Sequence, residues 1–151
     1  MTIEKARTSD VPRIKELVDY YAKRGEMLPR SLSEIYEHLR SFYVYRKDGK
    51  VVGCCALYIT WSDLAEIKSL AVEESHTGRG VGSTLVKAAL EEARELGMPK
   101  VFTLTTKPEF FKKLGFKTIK KEKLPQKIWG ECIRCTKFEN CDEEALIIKL
   151  K

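Results

Sequence analysis

Three glycines punctuate the run Thr77-Gly78-Arg79-Gly80-Val81-Gly82-Ser83, which leaves an apolar segment at 67–72 and enters an amphipathic one from about Val81. Glycine lets the backbone approach a ligand and turn its N–H groups inward, and a helix starting there adds the positive end of its dipole. The chemistry this predicts is anion binding, with a diphosphate cradled on residues 77–83. The alternative is a plain strand-to-helix turn that uses Gly only for its geometry. Two common phosphate loops do not fit. The nucleotide-triphosphatase loop needs Lys followed by Ser or Thr after its last Gly, and Val81-Gly82-Ser83 offers no such Lys. A dinucleotide loop needs Gly-x-Gly-x-x-Gly in a parallel βαβ unit near the N-terminus, followed by an acidic residue about twenty positions on, and that pattern is absent as well.

An alternating series of elements must position this loop. Thr8-Ser9-Asp10 reads as the cap of a helix with Val11, Ile14, Leu17, Val18 and Tyr21 at helical spacing, ended by Arg24-Gly25. Ser31 with Glu34 forms a capping box for a second short helix through Leu39. Residues 42–46 and 50–60 read as strands joined at Asp48-Gly49, a strong hairpin signal. A strand over 64–72 follows a turn at Trp61-Ser62-Asp63 and leads into the glycine loop. The helix from Val81 carries Leu85, Val86, Ala89, Leu90, Ala93 and Leu96 on one face and stops at Gly97 and Pro99. A strand over 100–105, a short helix over 108–114 capped by Thr106 and closed by Gly115, and apolar segments at 116–119 and 145–150 complete a mixed sheet.

Composition bounds the class. The chain has 151 residues, 43% hydrophobic and 33% charged, in the range of a single globular domain. One domain over 1–151 is expected. The longest apolar run, 51–59, is nine residues and contains Gly53, too short to span a membrane, and the first residues are charged rather than signal-like. A cytoplasmic protein without a membrane partner is expected. The net charge of +6 comes from 28 Lys and Arg spread among 22 acids, with no aromatic-basic motif, so nucleic acid is not the expected partner.

The loop, the strand ending Leu70-Ala71-Val72 and the order of elements resemble the GCN5-related N-acetyltransferases (GNAT family), whose loop reads Arg/Gln-x-x-Gly-x-Gly/Ala. Gly80 and Gly82 match, while Thr77 stands where Arg or Gln is usual. The resemblance covers residues 2–120 well and the rest loosely. It implies an α/β (α+β) fold with a mixed, mostly antiparallel sheet flanked by helices and a splayed central strand pair. It also implies acetyl-CoA as co-substrate and a small-molecule amine as acceptor. Leu70, Ala71 and Val72 would hold the pantetheine arm, residues Thr77, Gly78, Arg79, Gly80, Val81, Gly82 and Ser83 the diphosphate, and Phe111 would line the arm's wall. Glu66 sits where histone-acetylating members carry a base glutamate, and its alternation with Lys68 and Leu70 puts all three on one face; a salt-bridged strand residue is the other reading of Glu66. Many members place a proton-donating Tyr in the short helix where this chain has Phe111, which donates no proton.

Within the family, Gly25-Glu26-Met27-Leu28-Pro29-Arg30-Ser31, Ala56-Leu57-Tyr58, Ala65-Glu66, Leu104-Thr105-Thr106 and Leu124-Pro125 look like the acetyltransferase domain of N-acetylglutamate synthases. This resemblance implies L-glutamate as acceptor, in arginine biosynthesis. Arg30 falls where those enzymes hold a substrate carboxylate, and Lys68 is a second candidate cation from its strand position; an ordinary residue beside the Ser31 cap is the alternative for Arg30. The kinase domain usual in the synthases does not appear in these residues, so arginine feedback through it is not expected. Acetylation of another small amine or a protein N-terminus, or an acyl-CoA sensor without turnover, are the other functions this reading leaves open.

Cys132-x-x-Cys135 followed by Cys141 sets three thiols at ligand-like spacing, and inert reduced thiols are the expectation, with a structural zinc completed by a fourth ligand from elsewhere, or a disulfide, as the alternatives. The segment 122–142 around them, with Trp129 and Phe138, reads as a lid or interface. Cys54 and Cys55 fall in a strand, and His38 and His76 read as surface residues. Exposed sheet edges admit a homodimer.

Overall fold

The computed structural model describes residues 2–124 and 143–150. Seven strands form one sheet: β1 (Thr2–Lys5), β2 (Phe42–Lys47), β3 (Lys50–Trp61), β4 (Leu64–Val72), β5 (Lys100–Thr105), β6 (Lys117–Ile119) and β7 (Glu144–Lys149), in the order β1-β2-β3-β4-β5-β7-β6. The β4–β5 pair is parallel and the others are antiparallel. Among the described residues, four α-helices flank it: α1 (Val11–Ala22), α2 (Leu32–Glu37), α3 (Val81–Glu95) and α4 (Pro108–Lys112).

The alternation of β3 distributes its side chains to two cores. Cys54 and Ala56 join Val11, Ile14, Leu17, Val18 and Ile35 beneath α1 and α2, while Cys55 and Leu57 join Leu85, Val86, Ala89 and Leu90 beneath α3. Gly53 brings α3 close, because a Cβ there would meet Val81 Cγ1 and Leu85 Cδ1 at 3.0 Å. Asp48 at φ 53° and Gly49 at φ 77° make the β2–β3 turn with both central residues left-handed, matching strand twist. Ser31 and Glu34 form the expected reciprocal capping box on α2.

Several local details differ from the sequence expectation. α2 ends at Glu37, short of Leu39, and β1 was not anticipated. Asp10 does not cap α1 with its side chain. Its carboxylate accepts from the Arg7 amide at 2.8 Å and takes both Arg46 Nη atoms at 2.8 and 2.7 Å, drawing β2 onto the start of α1. Arg46 also pairs with Glu4 on β1, so one guanidinium ties the first strand, the first helix and β2 together. Thr106 is not the cap of α4. Lys107 occupies that position, and its amide donates to Thr105 Oγ1 at 2.9 Å.

Burial opposes ionisation of Asp10, but the Arg46 guanidinium and the Arg7 amide outweigh it and hold the carboxyl below its ordinary value. A carboxyl with a lowered folded pKa adds stability above the ordinary Asp range, and that contribution is lost as pH falls through the folded value. Asp10→Ala therefore destabilises the protein at neutral pH by about 2–3 kcal/mol. Urea midpoints measured against pH will show the gap between native protein and variant closing on the acid side of pH 4.

Candidate active site

β4 and β5 pair from Leu64 with Lys100 to Ile67 with Thr103 and no further, although β4 runs on to Val72 and β5 to Thr105. The buried Thr103 hydroxyl donates to the Ile67 carbonyl at 3.0 Å where the pairing ends. Beyond it the strands part as the two arms of a fork. The Glu73 amide donates to Val52 at 2.7 Å, and the next pair in register is Gly53 with Val72. Antiparallel pairs alternate in the edge to which they direct their N–H and C=O groups. The polar groups of Val72 therefore face away from β3, into the fork.

The β4 arm carries a β-bulge. Ala71 pairs with Cys54 but Lys68 pairs with Ala56, so β4 holds one residue more than β3 over this stretch, and Ser69 has φ 53°. The extra residue reverses side-chain parity and corrects the expectation that Glu66, Lys68 and Leu70 share a face. Leu70 packs with Ala65, Ile67 and Val72 on the α3 side, and Ala71 joins the core under α1. Glu66 and Lys68 stay together on the α1–α2 side. Lys68 Nζ lies 3.8 Å from Glu66 Oε1 and 4.8 Å from the centre of the Tyr58 ring, and Tyr58 stacks on His38 at 4.6 Å. Glu66 is 8% exposed and Arg30 4%. Arg30 precedes α2, and its Nη1 lies 3.6 Å from Glu34. The sequence-predicted base and one predicted cation thus meet directly, and the second cation lies on the same side of the sheet.

The glycine loop leaves the β4 arm through Glu73. This carboxylate receives the Ser75 hydroxyl at 2.7 Å and pairs with Lys50 and Arg13, and these contacts hold it below the usual carboxylate range against the effect of burial. The Thr77 hydroxyl turns back to the Glu74 carbonyl at 2.8 Å, so it is not aimed at an anion on the loop, where backbone amides and exposed Arg79 remain as donors beside the Ser83 hydroxyl. Gly78 and Gly80 have φ of 76° and 81°, and a Cβ at either would meet nothing within 4 Å. Their requirement is conformational, and the space above the loop is open. The helical ladder begins with the Thr84 amide to the Gly80 carbonyl at 3.0 Å, so the first amides of α3, from Val81 to Ser83, have no intrahelical acceptor. At Gly82 a Cβ would meet Phe110 Cζ at 3.3 Å, which seats α4 against the first turn of α3.

An open loop of amides at a helix start fits a diphosphate, and the fork fits an extended arm that makes strand-like hydrogen bonds. Phe111, expected along the arm's wall, faces the core. It is 4% exposed and packs edge-on against Phe116 in the core, whereas Phe110 borders the loop. Tyr21, read from sequence only as part of an apolar helix face, extends its hydroxyl to the Val72 carbonyl at 2.5 Å. Helical periodicity registers the burial of a tyrosine ring and is silent on where its oxygen ends. Among the described residues no cluster of three His, Cys, Asp or Glu is placed to hold a metal. Cys132, Cys135 and Cys141, and most of the segment read as a lid, lie outside the described residues. No helix among the described residues is long and apolar enough to cross a membrane.

Residues 9–116 match the acetyltransferase (GNAT) family. An uncharacterized N-acetyltransferase of Chlorobaculum tepidum is 43% identical over 145 residues, covering 96% of this chain and 94% of that one. An amino-acid acetyltransferase of Mycobacterium tuberculosis is 42% identical over 135 residues, 87% of this chain and 77% of its own. The structure of N-acetylglutamate synthase from Neisseria gonorrhoeae, complexed with coenzyme A and N-acetyl-glutamate, matches 99% of this chain with a TM-score of 0.91 at 28% identity. This chain spans 35% of that synthase. With the fork, the bulge and the amide loop in place, the chain belongs to the GNAT family and is an acetyl-CoA-dependent N-acetyltransferase.

Proposed function

We propose that the acceptor is L-glutamate, acetylated on its α-amine, so that the chain serves as an N-acetylglutamate synthase in arginine biosynthesis. The observation that carries this reading is the presence of two well-buried cations, Arg30 and Lys68, on the side of the sheet that also holds Glu66. Each already meets a carboxylate of the chain, Arg30 that of Glu34 and Lys68 that of Glu66, and a dicarboxylate acceptor would bring two more anions to the same pair of cations. The Mycobacterium tuberculosis and Neisseria relatives, named amino-acid acetyltransferase and N-acetylglutamate synthase, support the same substrate class.

Bound acetyl-CoA supplies an acetyl carbon activated as a thioester. Residues 77–83 would receive its diphosphate, and Leu70 and Val72 its arm. Arg30 orients one substrate carboxylate through a planar fork of donors, and Lys68 answers the other as a point charge. Glu66 takes the proton that the ammonium must lose before it becomes a nucleophile, directly or through one water. Phe111 cannot protonate a leaving thiolate, which leaves that step to water or another hydroxyl.

Thiol release from acetyl-CoA, followed over a panel of amino acids, tests the acceptor. Glutamate is expected to be the preferred substrate, Arg30→Ala to lower its kcat/KM about a hundredfold, and Glu66→Gln to lower kcat by about 10²–10⁴. Equal rates with glutamate and a neutral amino acid, or an unaffected Arg30→Ala, would discard glutamate while keeping the family. Coenzyme binding without turnover of any amine would point to a sensor. Separately, Gly80→Ala places a side chain at a left-handed residue costing about 1–2 kcal/mol, and calorimetric titration is expected to show coenzyme A bound roughly tenfold more weakly.

A further inference from the structure

Tyr21 reaches a backbone group at the outer end of the fork. Its ring belongs to the core beneath α1, yet its hydroxyl donates to the carbonyl of Val72, on the edge of β4 that β5 has left. Both sides of the fork hold it there. On the β4 side, the preceding Tyr20 hydroxyl donates to Glu74 at the start of the glycine loop, with Arg24 lying 4.2 Å over the Tyr20 ring. On the β5 side, Lys107, two residues past the end of that strand, pairs with Glu26 at 3.2 Å and lies 5.9 Å from the centre of the Tyr21 ring. The end of α1 therefore bridges the mouth between the two arms.

A phenol that donates its one proton keeps acceptor lone pairs, and a carbonyl that accepts one hydrogen bond has room for a second. Tyr21 and Val72 thus present two neighbouring acceptors to whatever lies in the fork. The pantetheine arm of coenzyme A carries amide N–H donors that such acceptors suit. Desolvation of Tyr21 raises its pKa, so the phenol keeps its proton over the working pH range and this arrangement does not titrate away.

We propose that Tyr21 is a positioning residue for the acyl donor, holding the pantetheine arm in the fork by accepting a hydrogen bond at its phenolic oxygen while fixing the Val72 carbonyl beside it. The inference rests on the donor lying between the arms and is independent of the acceptor's identity.

Tyr21→Phe keeps the ring and removes the oxygen. Calorimetric titration of native protein and variant with coenzyme A and with adenosine 3′,5′-bisphosphate, which lacks pantetheine, separates the arm from the loop. One lost hydrogen bond predicts a dissociation constant for coenzyme A raised about 3–10-fold, an unchanged constant for the bisphosphate, and a matching rise in KM for acetyl-CoA with kcat within about twofold. Equal weakening of both ligands would show that the phenol merely supports the glycine loop and would overturn the proposal, as would unchanged coenzyme A binding. If native protein bound neither ligand, the donor site itself would fall, a result distinct from either of these. Equal melting temperatures of the two proteins would confirm that the variant remains folded.

Discussion

The parallel pairing of β4 and β5 stops after Ile67 and Thr103 while both strands continue, and the rest of the site follows from that termination. Backbone N–H and C=O groups are obligate hydrogen-bonding groups, so an unzipped strand creates a row of demands that something must meet. At the crotch the Thr103 hydroxyl meets the Ile67 carbonyl. At the outer end the Tyr21 hydroxyl meets the Val72 carbonyl. Between them the strand is an edge inside the molecule, of the kind that an extended ligand can join as another strand.

The sheet also separates the amide loop from the buried charged side chains. On one side α3 delivers the amide loop, and its closeness to β3 depends on the missing side chain of Gly53. On the other side the α1–α2 segment carries Arg30, and β4 offers Glu66 and Lys68. The bulge at Ser69 is what lets one strand serve both sides. Without the extra residue, Leu70 would stay in phase with Glu66 and Lys68, and an apolar side chain would crowd the charged face while Val72 lost its place under α3.

Much of the fold was legible because its punctuation is chemical. Asp48-Gly49 admits few structures other than a tight hairpin, Ser31 and Glu34 satisfy each other locally, and the limits of β4 and β5 agree with residues 64–72 and 100–105 as read from the sequence. The glycine loop was legible for the same reason, since left-handed Gly78 and Gly80 tolerate few substitutes. What remained hidden depends on partners distant in sequence. β1 is four residues long, too short to show a period, and it is drawn into the sheet by β2 and Arg46. Asp10 looks like a helix cap until Arg46 claims it from 36 positions away. Ser69 is an ordinary strand residue by composition, and only the registers on either side reveal its left-handed backbone. Phe111 and Phe110 are adjacent, and which of them meets the loop is decided by the packing of α4.

The two neighbouring thiols of β3 have a use that the catalytic reading does not touch. Cys54 and Cys55 are fully buried on opposite faces, and burial pushes the Cys54 thiol up to about 12 and that of Cys55 higher still. Successive residues of a regular strand point apart, so the pair is poorly placed for a mutual disulfide, and neither is a thiolate that an acyl thioester could modify. Each is sealed by a different layer, Cys54 by α1 and Cys55 by α3. Their separate rates of alkylation therefore act as built-in clocks for the transient lifting of α1 and of α3.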